Sequence, residues 1–139
     1  MKVIEILLVE DNPGDILLTR KALKEANIQI HLKVAEDGQQ ALAMMEAKEL
    51  PDLILLDLNL PGIDGFEVLK QLKANERTKM IPIVILTSSE DEKDIQAAYG
   101  QYCNCYLTKP INLKELMKIV NSIDDFWFSI ARLPKKDTD

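Results

Sequence analysis

Apolar residues along this chain fall into two kinds of segment. Short runs that are almost continuously hydrophobic alternate with longer stretches in which apolar positions recur every three or four residues. The short runs are 3-VIEILLV-9, 30-IHLKVA-35, 53-LILL-56, 81-IPIVIL-86 and 105-CYL-107. Runs 3–9, 53–56 and 81–86 are apolar nearly throughout, as strands covered on both faces require. Run 30–35 alternates, with Ile30, Leu32 and Val34 to one side, and suits an edge strand.

Helix starts punctuate the intervals. Asn12 before Pro13 is a good cap followed by a good first helical residue. Asp37 with Gln40, Asp64 with Glu67, Ser89 with Glu92 and Asn112 with Glu115 are capping boxes or close relatives of one. Helical stripes follow each start: Ile16, Leu17, Ala22 and Leu23; Ala41, Leu42, Met44 and Met45; Phe66, Leu69 and Leu72; Ile95, Ala98 and Tyr99; Leu113, Leu116, Met117 and Val120. The pattern predicts an α/β domain of (βα)5 type, a doubly wound parallel sheet with helices on both faces. There is no linker, repeat or low-complexity tract. Residues 1–133 read as one domain whose last helix is extended, and 134–139 as a frayed tail.

Composition adds bounds. The 139 residues are 47% hydrophobic and 29% charged with a net charge of −6, enough for one well-filled core. The acidic balance argues against nucleic acid or an anionic membrane as partner. No segment has the length of a membrane helix, and the N-terminus does not read as a signal peptide. Cys103 and Cys105 are too close for an ordinary structural disulfide, and with His31 as the one further soft ligand they do not make a zinc site. A reduced, cytoplasmic protein is expected. The cysteines read as packing residues and His31 as a surface residue.

The polar residues that interrupt the pattern fall at strand ends. Glu10 and Asp11 close the first run, Asp57 the third and Thr87 the fourth, and the fifth runs into Thr108, Lys109 and Pro110. In an open parallel sheet the carboxyl ends line one edge, and ligands bind where the strand order reverses. Spacing leaves that order open; 2-1-3-4-5 would set strands one and three side by side and bring Glu10, Asp11 and Asp57 together. Carboxylates about 4 Å apart at an effective dielectric near 20 repel by roughly 4 kcal/mol per pair. Lys109 offsets part of this, so either a proton is held or a divalent metal is bound. An all-oxygen set with few protein donors suits Mg2+, which keeps waters and accepts a phosphoryl oxygen. Neither glycine-rich nucleotide loop, G-x-x-x-x-G-K-[ST] or G-x-G-x-x-G, occurs.

The set Glu10-Asp11, Asp57, Thr87 and Lys109-Pro110, with 57-DLNLPGIDG-65 after the central run, resembles the receiver domain of two-component response regulators over residues 3–123. The resemblance implies a flavodoxin-like fold with strand order 2-1-3-4-5. It implies that Asp57 takes a phosphoryl group from a sensor histidine kinase. Asp11, Asp57 and the backbone carbonyl of Asn59 would hold Mg2+, with Glu10 acting through water. Thr87 and Lys109 would bind phosphoryl oxygens, Tyr106 would be the switch aromatic, and Asn59 and Ser89 would flank the phosphoryl group and influence its hydrolysis. The Lys109–Pro110 peptide is commonly cis in that family. The strings 9-VEDNPGD-15, 84-VILTSS-89, 104-NCYLTKP-110 and 126-FWFSIARLP-134 further resemble stand-alone receivers partnered with bacterial phytochromes.

Competing readings are weaker. Residues 57–62 half-match a calcium-binding loop, but Pro61 stands at a ligand position and Val68 where the terminal Glu belongs. A small-molecule aspartyl-phosphate phosphohydrolase usually carries a second Asp two residues after the nucleophile; Asn59 there cannot transfer a proton. The reading is therefore a regulator that catalyses only its own phosphotransfer and dephosphorylation, with a surface as its output. That surface is expected in the last helix. Ile119, Phe126, Ile130 and Leu133 lie beside the stripe from Leu113 to Trp127 and, with Phe128, widen the apolar arc beyond half the helix. A homodimer through the fourth helix, fifth strand and fifth helix, with the FWFSIARLP segment, would cover it.

Overall fold

The structure is a computed structural model; it describes residues 3–26, 28–88, 91–101, 103, 105–109 and 112–124. The elements run β1 (Ile4–Val9), α1 (Pro13–Lys24), β2 (Ile30–Ala35), α2 (Gly38–Met44), β3 (Leu53–Leu56), α3 (Gly65–Ala74), β4 (Ile83–Thr87), α4 (Glu92–Gly100), β5 (Cys105–Thr108) and α5 (Leu113–Asp124). Among the described residues the strands form one parallel sheet in the order β2-β1-β3-β4-β5. The chain thus reverses its direction of winding between β1 and β3, and a crevice opens at their carboxyl ends.

The near-continuous apolar runs are the interior strands, and alternate residues feed two separate cores. Ile6, Leu8, Leu53, Leu55, Val84 and Leu86 meet α1 and α5 through Ala22, Leu23, Leu116 and Val120. Leu7, Val9, Ile54, Leu56, Ile83 and Ile85 meet α2, α3 and α4 through Ala41, Val68, Leu69, Leu72 and Ala98. Run 30–35 is an edge strand, half-buried at Ile30, Leu32 and Val34 and exposed at His31 and Lys33. His31 Nδ1 lies 2.6 Å from Glu5 Oε2 across the β1–β2 pair, a surface contact.

Helix starts follow the capping chemistry in four cases. Asn12, Asp37, Asp64 and Asn112 accept from the backbone N–H groups of Asp15, Gln40, Glu67 and Glu115. The fourth interval differs from expectation. Asp91 caps α4, accepting from Lys93 N at 2.9 Å, and the helix begins at Glu92, two residues later than a cap at Ser89 would start it. Ser89 lies outside the described residues.

Three apolar positions are also reassigned. The inward side of α1 carries Ile16, Thr19, Ala22 and Leu23, so Leu17 faces water at 55% exposure beside Leu18 at 50%. Tyr99 on α4 is likewise outward, at 48%. Ile119, expected beyond the core stripe of α5, packs half-buried against the α1–α5 core, since the sheet and Met117 leave room for a wider arc than one stripe. Residues 125–139, and with them the expected extension of the last helix, lie outside the described residues.

The loop after β3 is drawn tight. Gly62 takes a positive φ of 72° at its turn. Gly65 N donates to Leu58 O at 3.0 Å, and this closes the loop against the strand end. A Cβ on Gly65 would fall on Asp57 O and Leu58 Cα, both main-chain atoms that cannot swing aside. Gly65→Ala is expected to destabilise the fold by about 1–3 kcal/mol. Urea denaturation would show this as a lowered midpoint at unchanged slope.

Candidate functional site

Glu10, Asp57 and Lys109 are each fixed by one main-chain hydrogen bond made just past their strands. Glu10 N donates to Ala35 O of β2 at 2.9 Å, Asp57 N to Val9 O of β1 at 3.0 Å, and Lys109 N to Thr87 O of β4 at 2.7 Å. The parallel ladder therefore runs one rung beyond the strands and delivers residues from separate segments to the same crevice.

There the Lys109 ammonium spends its three N–H groups on carboxylates. It donates to Glu10 Oε1 at 2.6 Å, Asp15 Oδ2 at 2.7 Å and Asp57 Oδ2 at 2.9 Å. Asp57 Oδ1 accepts from Asn59 N at 3.0 Å, and Asn59 Nδ2 donates to Thr87 Oγ1 at 3.3 Å. Asn12 N donates to Glu10 Oε2 at 3.2 Å. Glu10, Asp57 and Thr87 are buried, while Asp11 and Asn59 open to solvent at the crevice mouth.

Carboxylate oxygens of Glu10, Asp11 and Asp57 all come within 4.8 Å of one another. Three hard oxygen donors from two strand ends, partly open to water, fit a small divalent cation that retains part of its hydration. The crowded charges favour either such a cation or a bound proton. Burial lifts the Glu10 carboxyl from its ordinary 4.5 to about 7; the Lys109 hydrogen bond opposes this and the neighbouring Asp57 charge adds to it. Burial alone would lower Lys109, but its hydrogen bonds to Asp15, Glu10 and Asp57 together outweigh that and hold its pKa above the ordinary lysine value. One cation thus remains charged among several anions, and Glu10 is the anion that takes up a proton near neutrality.

Glu10, Asp11, Asp57, Asn59, Thr87 and Lys109 are brought together as the strand-end pattern expects. Tyr106 sits on β5 opposite Ile85 of β4, half-buried against the core that includes Ala98 and Cys103. Pro110 lies outside the described residues. The thiols behave as packing groups: burial pushes Cys103 up to about 11 and also raises Cys105, so both stay protonated at neutral pH. Residues 57–62 follow a strand, where a calcium loop would follow a helix.

Asp15, an acid in the first turn of α1, is the residue that sequence reasoning passed over. A signal was present. Asp15 stands three residues after the cap Asn12, and helical side chains tilt toward the N-terminus, here toward the strand ends.

A parallel five-stranded sheet with a buried Asp, an acidic pair and a lysine at its carboxyl edge defines a class of oxygen-rich, cation-binding crevice. The chain belongs to the response regulator receiver domain family, which it matches over residues 6–121. It is 46% identical over 135 residues to the response regulator Rcp1 of Synechocystis sp., spanning 93% of this chain and 92% of Rcp1. The crystal structure of Mn(2+)-bound Rcp1 matches 95% of this chain and 99% of its own, with a TM-score of 0.77 at 44% identity. That of the phosphorylated cyanobacterial phytochrome response regulator RcpA matches 96% of this chain and 100% of its own, with a TM-score of 0.80 at 42% identity. The bacteriophytochrome response regulator RtBRR gives 0.79 at 34% identity, over 96% of this chain and 84% of its own.

The Glu10 shift has a measurable sign. A carboxyl whose folded pKa is raised stabilises the fold below the unfolded value of 4.5, and this contribution is lost as pH rises through about 7. Without divalent cations, wild type should therefore lose stability relative to Glu10→Gln between pH 5 and pH 8. Parallel urea titrations of the two proteins check this; a constant gap would contradict it.

Proposed function

We propose that this protein is a two-component response regulator in which Asp57 is the phosphoacceptor. The carrying observation is Lys109 Nζ, 2.9 Å from Asp57 Oδ2 and anchored by Glu10 and Asp15. In the reaction a carboxylate oxygen of Asp57 attacks the phosphorus of a kinase phosphohistidine. The new O–P bond forms as the P–N bond breaks, and the imidazole leaves with the electron pair and takes a proton from solvent. A carboxylate is a weak nucleophile, so positioning and charge neutralisation supply the acceleration. Asp57 is aimed by the Asn59 N–H, Lys109 neutralises developing charge on a phosphoryl oxygen, and Thr87 and Asn59 line the approach. Asp11, Asp57 and the Asn59 carbonyl would hold Mg2+, with Glu10 acting through a water. An ion held there would supply positive charge that offsets the repulsion between the Asp57 carboxylate and the incoming phosphoryl group.

The product is an acyl phosphate, and the same site hydrolyses it; turnover of other substrates is no part of this reading. Drawing the Thr87 hydroxyl toward the phosphate would break its link to Asn59, and Tyr106 on the neighbouring strand would turn inward in response. The output is a surface made by α4, β5 and α5 together with segment 126–134, serving a homodimer in the cytoplasm. Support comes from the outward Tyr99 and the half-buried β5 at the sheet edge. The likeness to Rcp1, RcpA and RtBRR favours a phytochrome-type histidine kinase as the donor.

Acetyl phosphate with Mg2+ should label wild type and leave Asp57→Asn unlabelled; equal labelling would refute the assignment. Lys109→Met should slow labelling by about 100-fold, the scale of losing one charge-stabilising donor. Sedimentation with and without beryllofluoride should show a change in the monomer–dimer distribution. Identical profiles would remove the dimer as output.

A further inference from the structure

Asp15 has a duty that the acceptor chemistry of Asp57 leaves unassigned. Its carboxylate spans from α1 to Lys109 at the end of β5 with an N–O distance of 2.7 Å, shorter than the 2.9 Å contact between Lys109 and Asp57. Its own backbone N–H is fixed by the Asn12 cap at 3.0 Å, so the main chain that carries the carboxylate is anchored at the helix start. Glu10 is the other short contact, at 2.6 Å. Glu10 and Asp57 also belong to the carboxylate cluster that can hold a cation, whereas Asp15 does not. Among the three anchors of Lys109, Asp15 is thus the one not shared with the cation site.

The geometry points to Asp15 as a positioning residue that holds the Lys109 ammonium in place throughout the phosphorylation cycle. This role rests on Asp57 being the phosphoacceptor. Two N–H groups of Lys109 stay on Glu10 and Asp15 while the third is aimed at Asp57. When Asp57 is phosphorylated its carboxylate charge moves out onto the phosphoryl oxygens. The Asp57 oxygen then becomes the weakest acceptor of the three, and its N–H passes to a phosphoryl oxygen without the ammonium leaving its seat. Lysine carries a point charge on a flexible stem, so the aim of its third proton depends on what holds the other two. A displacement of about 1 Å in such a group can cost up to about 100-fold in rate.

A purely structural alternative exists, because an acid in the first turn of α1 also complements the helix dipole. The two roles separate in measurements on the full chain. With acetyl phosphate and saturating Mg2+, Asp15→Ala should lower the maximal labelling rate about 10-fold while the half-saturating acetyl phosphate concentration changes little. Asp15→Glu should restore part of the rate. In a Lys109→Met background, adding Asp15→Ala should have no further effect, whereas a helix-dipole role would persist there. Independently of labelling, NMR of the Lys109 NH3+ group should show proton exchange with water severalfold faster in Asp15→Ala than in wild type. Labelling of Asp15→Ala at the wild-type rate, an additive loss in the Lys109→Met background or unchanged ammonium exchange would each overturn the role. If wild type takes no phosphoryl group, the acceptor reading falls and this role with it. If wild type labels and Asp15→Ala labels as fast, only this role falls.

Discussion

The structure depends on a main-chain hydrogen-bond ladder that continues one rung past β1, β3 and β5. Glu10 is pinned to β2, Asp57 to β1 and Lys109 to β4 through their backbone N–H groups, so the site side chains inherit the rigidity of the sheet. Rigidity is needed because the arrangement is electrostatically unfavourable. Buried carboxylates brought within 4.8 Å of one another would separate if their backbones could move. Two apolar cores, one on each face of the sheet, hold the strands against that repulsion.

The same tension makes the crevice responsive. Lys109 cannot balance every anion around it, and Glu10 relieves the excess by binding a proton near neutrality. A cation or a phosphoryl group entering the crevice would change that balance. Thr87 stands at the end of β4, joined to Asn59 through its side chain and to Lys109 through its carbonyl. Thr87 is thus tied to β5, the outer strand on that side, with Tyr106 two rungs back on the same strand.

Helix surfaces show where sequence reasoning loses resolution. A run such as 16-ILLTRKAL-23 offers more apolar positions than one face can bury. Periodicity indicates a helix, but the rotation of α1 on the sheet decides that Thr19 goes in and that Leu17 and Leu18 stay out. Ile119 errs the other way: the α1–α5 core accommodates it although it lies off the main stripe. In both cases the deciding quantity is the space between packed elements, which a residue pattern does not specify.

The alternation of apolar runs and capped helical stripes was enough to establish the (βα)5 class, the interior and edge strands and four of the five helix starts. It also placed Glu10, Asp11, Asp57, Thr87 and Lys109 at one edge, because a parallel sheet must present all its carboxyl ends together. Distances, burial and the sharing of one ammonium among three carboxylates came only from the folded chain. Asp15 illustrates the reason. Its partner is 94 residues away, and their contact exists because α1 and β5 are docked on a common sheet. Local pattern determines which element a residue belongs to; the packing of elements determines what its side chain meets.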